Sequence, residues 1–234
     1  MKGKFVMADG LDGSGKGVVV GALAEWASQN KLRVFDIRKA DEFPEPEDLE
    51  DYDVIVSAEP TFFLVGKAIR EELVRENNRK YSAMTLAYAF SLDREILYKR
   101  VIVPALSAGK HVFQERGMVT SFVYQPVQEH IQLSELLKLP GNRLAMQYCP
   151  DLLLILKASP ENAVQRLQHR DKKDNSIFDN LAFQRKLADR YGSEWLKALF
   201  EKGGSRVAYV DADLSPEDTV NQAVAAWEGL VRKS

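Results

Sequence analysis

The sequence predicts an α/β fold with three layers, helices covering both faces of a central, mostly parallel, five-stranded sheet. Three observations carry that expectation. Residues 4–17, KFVMADGLDGSGKG, read as a strand, a glycine-rich turn and the start of a helix. Short apolar runs then alternate with helical patterns along the chain, as parallel strands joined by crossover helices require. Finally, LLLIL at 152–156 is apolar at every position, which suits a strand buried on both faces.

The first segment also carries chemistry. After the strand ending at Asp9, the run from Gly10 to Lys16 fits the P-loop pattern G-x-x-x-x-G-K, and Val19, Val20, Leu23 and Trp26 give the next segment a helical apolar face. In that context Gly10, Gly13, Ser14, Gly15, Lys16, Gly17 and Val18 form a candidate cradle for a nucleoside triphosphate. Glycines let backbone N–H groups converge on phosphate oxygens, and the helix N-terminus adds partial positive charge. Lys16 supplies a full charge for the outer phosphates. At the last position the pattern breaks, with Gly17 in place of the Ser or Thr whose hydroxyl would reach Mg²⁺.

Composition sets the bounds. The 234 residues are 45% hydrophobic and 28% charged with a net charge of −2, so neither nucleic acid nor an anionic membrane is expected as a partner. A single cysteine, Cys149, rules out an internal disulfide and fits a reducing, cytoplasmic setting. Three histidines and one cysteine offer no zinc cluster. No segment reaches the roughly 18 apolar residues of a membrane span.

Further along, Leu32–Ile37 is a second strand candidate, and 41–53 (DEFPEPEDLEDYD) reads as an acidic surface connector. The strand at Val54–Ser57 empties into Ala58-Glu59-Pro60-Thr61, the kind of strand end where open α/β sheets place ligand groups. Val65–Arg75 reads as a short amphipathic helix, and Ser82–Leu106 as the longest one, with Pro104 a candidate kink and Gly109 a C-cap. Asp93 and Arg94 interrupt its apolar pattern, either as solvent-facing residues or as site residues. His111–Gln114 is a strand closing on Glu115-Arg116, a pair suited to a metal contact and a phosphate clamp or else to a structural ion pair. A helix starts at Thr120, and 129–148 holds short helices divided at Pro140-Gly141. Ser159 and Ser215 are N-caps. The polar stretch 169–178 suits a mobile lid, Phe178–Lys202 a second long helix and Arg206–Val210 the last strand. With no repeats or linkers, residues 1–234 read as one domain.

Taken in order, these segments resemble the thymidylate kinase family over nearly the whole chain. FVMADGLDGSGKG is similar to its F-x-x-x-[DE]-G-x-D-G-x-G-K-[ST] opening, Ala58-Glu59-Pro60 to its R-E-P turn and Phe90-Ser91-Leu92-Asp93-Arg94 to its F-x-x-D-R helix. Pro104–Lys110 resembles P-A-L-x-x-G-K. Glu115-Arg116, Thr120-Ser121 and Tyr124-Gln125 resemble D-R-x-x-x-S-[SN]-x-x-Y-Q, and Pro150-Asp151-Leu152 the P-D-L entry to the next strand. Arg166 and Arg170 match the R-x-x-x-R that starts the family's lid.

The resemblance implies a nucleoside monophosphate kinase, most simply dTMP + ATP to dTDP + ADP, with ATP and Mg²⁺ as cofactors, small nucleotides as substrates and a homodimer built on the long helices. It implies that Phe90 stacks on the pyrimidine and Arg94 bonds a base carbonyl. Arg116 would hold the acceptor phosphate, while Asp12 lies near the sugar and attacking phosphate and Tyr124 where a 2′-hydroxyl would be. Glu59, Pro60, Thr120 and Ser121 complete the substrate set. Lys16, Asp12, Arg116 and Arg170 are the catalytic candidates, and Lys172 and Lys173 belong to the same basic flap. With Gly13 at the loop's variable position, the catalytic arginine is expected from the lid.

Some positions depart from the family pattern. Gly17 removes the magnesium-binding hydroxyl, and Glu115 replaces an Asp, so a longer carboxylate is expected to reach a shifted Mg²⁺ while water fills the hydroxyl's place. Ala58 replaces a phosphate-contacting arginine, with Arg70 as a substitute, and Ile177 stands where many members carry a lid arginine. Alternatives are a kinase of another pyrimidine nucleotide or deoxynucleoside, or a nucleotide-binding regulatory relative with impaired turnover. Polyphosphate-dependent kinases can also carry GKG, but Phe90/Arg94 and Glu115/Arg116 argue against them.

Overall fold

A computed structural model describes residues 3–75, 78–169 and 181–232. Its strands are β1 (Phe5–Gly10), β2 (Val34–Asp36), β3 (Val54–Ala58), β4 (His111–Glu115), β5 (Leu152–Lys157) and β6 (Arg206–Asp211). They form one sheet in the order β2-β3-β4-β1-β5-β6, every pair parallel. The sheet therefore has six strands, not the five expected. Both edges are short or half-exposed, yet both pair: β2 with only three residues against β3, and β6 along the whole of β5. The inner strands β1 and β3 are buried at every position, because helices cover both faces.

The helices of the first half are α1 (Lys16–Gln29), α2 (Leu64–Ala68), α3 (Ala83–Leu97), α4 (Val103–Ser107) and α5 (Met118–Glu129). Those of the second are α6 (Leu133–Leu136), α7 (Pro140–Gln147), α8 (Pro160–Gln168), α9 (Leu181–Tyr191), α10 (Glu194–Lys202) and α11 (Pro216–Val231). On one side α1 and α11 pack together, with Trp26 and Trp227 meeting edge to face at 5.8 Å. The rings of His111 and Phe113 close on Trp227 from β4. In the other layer α3, α5 and α9 pack side by side. Ser159 and Ser215 each accept a backbone N–H of the following helix, as the sequence led one to expect, and Ser82 does the same for α3.

Several segments differ from expectation. The long helix from Ser82 contains a wide π-type turn at Tyr98–Ile102 before α4. Pro104 has no N–H to give the preceding turn, so that turn opens. Val65–Arg75 likewise splits into α2 and a π-type turn at Ile69–Leu73. The expected helix Phe178–Lys202 is divided at Gly192-Ser193, and its first residues lie outside those described. The acidic connector is more than a solvated loop. Phe43 and Leu49 are buried, Pro46–Leu49 makes a capped 3-10 turn, and Arg100 stacks on Phe43 while bonding the carbonyls of Phe43 and Pro44. Apolar residues and a cation from the long helix anchor it despite its charge.

Candidate active site

β1 ends at Gly10 and the chain turns through the loop into α1 at Lys16. Gly13 is required by both conformation and space: its φ is 81°, and a Cβ there would lie 2.4 Å from the Ala163 carbonyl oxygen of α8. This is why the variable position holds no arginine. Gly15, at φ 90°, starts the helix without a side-chain cap, leaving the first-turn amides facing the loop. Lys16 Nζ donates to the carbonyl oxygens of Gly10 (3.0 Å) and Leu11 (2.6 Å) and lies 3.8 Å from Asp12. Ser14 Oγ is buried with no hydrogen-bond partner among the described residues, a cost that a phosphate oxygen would relieve. Val18, in contrast, is largely exposed.

Around Asp12 three of the four catalytic candidates, Lys16, Arg116 and Asp12 itself, lie together. Arg116 NH2 pairs with its Oδ1, and the Tyr124 hydroxyl donates to Oδ2 at 3.1 Å. Arg116 has φ 62°, a left-handed conformation for a non-glycine residue. Its N–H donates to Ala8 O and its carbonyl accepts from Gln114, so the strained turn is held at both ends. Such strain persists where surrounding structure enforces it, commonly at working sites. Asp9, fully buried, accepts from Gly10 N–H, from the backbone and hydroxyl of Thr120, and from the Tyr191 hydroxyl at 2.7 Å. One carboxylate thus ties the loop to α5 and α9.

After β3, Glu59 meets Arg94 of α3 in a buried pair, with side-chain exposures of 3% and 1% and a closest N–O distance of 2.6 Å. Arg94 also donates to Asn142 Oδ1 and, at 3.1 Å, to Ser121 Oγ. Gln114 donates to the other Glu59 oxygen at 3.0 Å. Burial pushes the Glu59 carboxyl up to about 7, although Arg94 pulls the other way. Asp93 is not solvent-facing: it accepts from the Thr61 N–H and hydroxyl, both at 2.7 Å, and burial raises its pKa. Arg70 bonds the carbonyls of Pro60 and Thr61 and stacks on Phe62, 3.9 Å from the ring centroid. Phe90 is half-buried against the core, one turn from Arg94.

The remaining corner holds Gly17 and Glu115. A Cβ on Gly17 would meet the Glu115 carboxylate oxygens at 3.2 and 3.4 Å. The carboxylate therefore occupies the neighbourhood where a hydroxyl-bearing side chain at 17 would start. Glu115 Oε2 also accepts from Arg38 NH1 at 3.2 Å, and Arg38 is held by Asp36 through two bonds of 2.9 Å.

Comparison with known proteins gives this geometry a family. The thymidylate kinase family model matches residues 47–223, well over half of the chain, and leaves the glycine loop outside the match. The chain is 28% identical to the thymidylate kinase of Caldicellulosiruptor saccharolyticus over 233 residues, all of both chains. With the probable thymidylate kinase of Pyrococcus horikoshii it shares 31% over 195 residues, 82% of each chain. The chain belongs to the thymidylate kinase family.

For a thymidylate kinase family member, the structure gathers Lys16, Asp12, Arg116 and Tyr124 at one mouth of the sheet. The hydroxyls of Thr120 and Ser121, expected at the substrate, are committed to Asp9 and Arg94. Arg170, Lys172, Lys173, Ile177 and all of the 169–178 lid except His169 lie outside the described residues. The sequence reading missed Arg38, Asn142 and Tyr191. Arg38 had a faint signal, an acid two positions earlier at a strand end. Asn142 and Tyr191 had none, because their roles depend on partners 48 and 182 residues away. Among the described residues no helix is long and apolar enough to cross a membrane.

Proposed function

We propose that this chain is a working thymidylate kinase that moves the γ-phosphoryl group of ATP to dTMP. The observation that supports this most is the junction at Asp12, where the loop lysine, Arg116 and Tyr124 share one carboxylate. In the reaction a dTMP phosphate oxygen forms a bond to the γ-phosphorus as the bond to the ADP oxygen breaks. Little covalent work falls to the protein, so positioning and charge neutralisation carry catalysis. Lys16 exchanges two backbone carbonyls for donor phosphate oxygens, and Ser14 Oγ gains a partner. Arg116 turns from Asp12 to the acceptor phosphate, where its guanidinium fork fits. Phe90 offers its ring to the base, and Arg94, fixed by Glu59 and Asn142, stands one helical turn away.

The residues at Gly17 fit magnesium, because Glu115 places carboxylate oxygens beside the position that lacks a hydroxyl. One carboxylate with substrate phosphates and water is an ordinary Mg²⁺ environment. Glu115 would hold the ion, which offsets charge on the transferred phosphoryl group. Arg170 is assigned the remaining neutralising charge, and residues 169–178 the lid, on resemblance alone. The chain is read as one cytoplasmic domain forming a homodimer. Tyr88 and Leu92, exposed one turn apart on α3, support that interface. A sedimentation mass equal to the single-chain 26.4 kDa would remove the dimer from this reading.

A coupled ADP-release assay over nucleosides and monophosphates tests the activity. Turnover is expected with dTMP, and Lys16→Ala should lose at least about 100-fold, the usual cost of one transition-state donor. Turnover with a nucleoside only would move the acceptor. ATP binding without turnover on any acceptor would favour the regulatory alternative, for which the Glu115–Arg38 pair is the specific argument.

A further inference from the structure

Arg38 follows the edge strand β2, whereas Glu115 ends β4, and β3 lies between them. The guanidinium crosses β3 to reach Glu115 at 3.2 Å. It can do so because β3 ends in Ala58, the register partner of Glu115, whose side chain stops at a methyl. A long side chain at 58 would stand in the path. Asp36 holds Nε and NH2 at 2.9 Å each, which aims the NH1 edge at Glu115. Glu115 in turn lies against Gly17 in the first turn of α1, directly after the loop lysine. Burial alone would lower the Arg38 pKa, but Asp36 and Glu115 together raise it, so the group stays charged. The result is an oriented guanidinium at the phosphate mouth, held firmly by Asp36 and by a single bond to Glu115, with its side chain 15% exposed and that of Glu115 25%.

We propose that Arg38 is a phosphate-binding residue of this kinase, exchanging Glu115 for a phosphoryl oxygen of bound nucleotide and so freeing the Glu115 carboxylate. This rests on the nucleotide-kinase reading above. A guanidinium edge binds a phosphate dianion more strongly than a single carboxylate oxygen held at 3.2 Å. The phosphate comes from ATP on the loop or from dTMP beside it, sources that share one chemistry.

Calorimetry of ATP and of dTMP, each alone in EDTA, separates the sources and removes the metal from the readout. Arg38→Met keeps an unbranched apolar stem and removes the guanidinium and its charge. At least a threefold rise in Kd for one of the ligands is expected, with Arg38→Lys intermediate and Glu115→Gln at or below the wild-type Kd. A change under threefold for both ligands overturns the proposal, as does equal weakening in Glu115→Gln, which would mark the cluster as merely structural. If Arg38→Met fails to fold, Arg38→Gln carries the same threshold. Wild-type protein that binds neither nucleotide would remove the kinase reading itself, a result distinct from a silent Arg38.

Discussion

Two glutamates sit side by side at the end of the sheet, joined by a hydrogen bond from the Glu59 N–H to the Glu115 carbonyl at 2.9 Å. Each pairs with an arginine, and the pairs are opposites. Glu59–Arg94 is buried, closes at 2.6 Å and is surrounded by Asn142, Ser121 and Gln114. Glu115–Arg38 is partly exposed, closes at 3.2 Å and rests on one further anchor, Asp36. In low dielectric a fully partnered pair fixes geometry, and losing one member strands a charge. A pair that keeps some access to water, with side chains 15% and 25% exposed, is held less firmly and can exchange for a ligand. The first pair should therefore act on stability and the second on ligand binding.

The largest effect that would break this contrast is expected at Arg94. Arg94→Met should destabilise the fold by about 3–5 kcal/mol, the cost of leaving one member of a buried pair alone. Arg38→Met should cost less, about 1–2 kcal/mol, because the Asp36 and Glu115 carboxylates it leaves keep some access to water. Urea titrations of both variants check this. Equal losses would mean that the two pairs do the same job.

A smaller effect follows from the Glu59 proton. Burial raises its carboxyl from 4.5 to about 7 against the pull of Arg94 and Gln114. The native state then holds a proton that the unfolded chain releases above about pH 4.5. This contribution is full below pH 4.5 and is lost as pH rises through about 7, a span worth at most about 3 kcal/mol. Glu59→Gln cannot titrate, so wild type should lose stability relative to it between pH 5 and 8. A difference in melting temperature that stays constant over that range would place the Glu59 proton elsewhere.

The same contrast explains what the sequence made legible. The loop from Gly10 to Lys16 is local: its glycines, lysine and following helix lie within a few turns of chain, so spacing alone exposes it. The strands β3 and β5 announce themselves by the apolar runs at 54–56 and 152–156. Buried Arg94 was visible as an anomaly in an apolar helix, but its partners were not, since Asn142 is brought in only by the packing of α7 on α3. Arg38 escaped notice because its partner stands across another strand, 77 residues away. Strand order, which decides that crossing, is not written in any window of sequence.

The sharpest test of the ligand-facing pair is also the smallest. Gly17 and Glu115 touch: a Cβ at 17 would stand 3.2 Å from one carboxylate oxygen and 3.4 Å from the other. Gly17→Ser restores a hydroxyl but crowds a carboxylate that Arg38 already holds. Glu115→Asp draws the carboxylate back by one methylene and weakens that hold. Each single change should reduce kcat/KM, whereas together they relieve the crowding and supply a hydroxyl with a shorter acid. The double variant should thus exceed the product of the two single effects by about fivefold, a coupling on the order of 1 kcal/mol, as is common for residues in contact. Kinetics of the four proteins at saturating magnesium measure it. Strict additivity would show that Gly17 and Glu115 vary independently, and the corner would then be two separate substitutions and not one site.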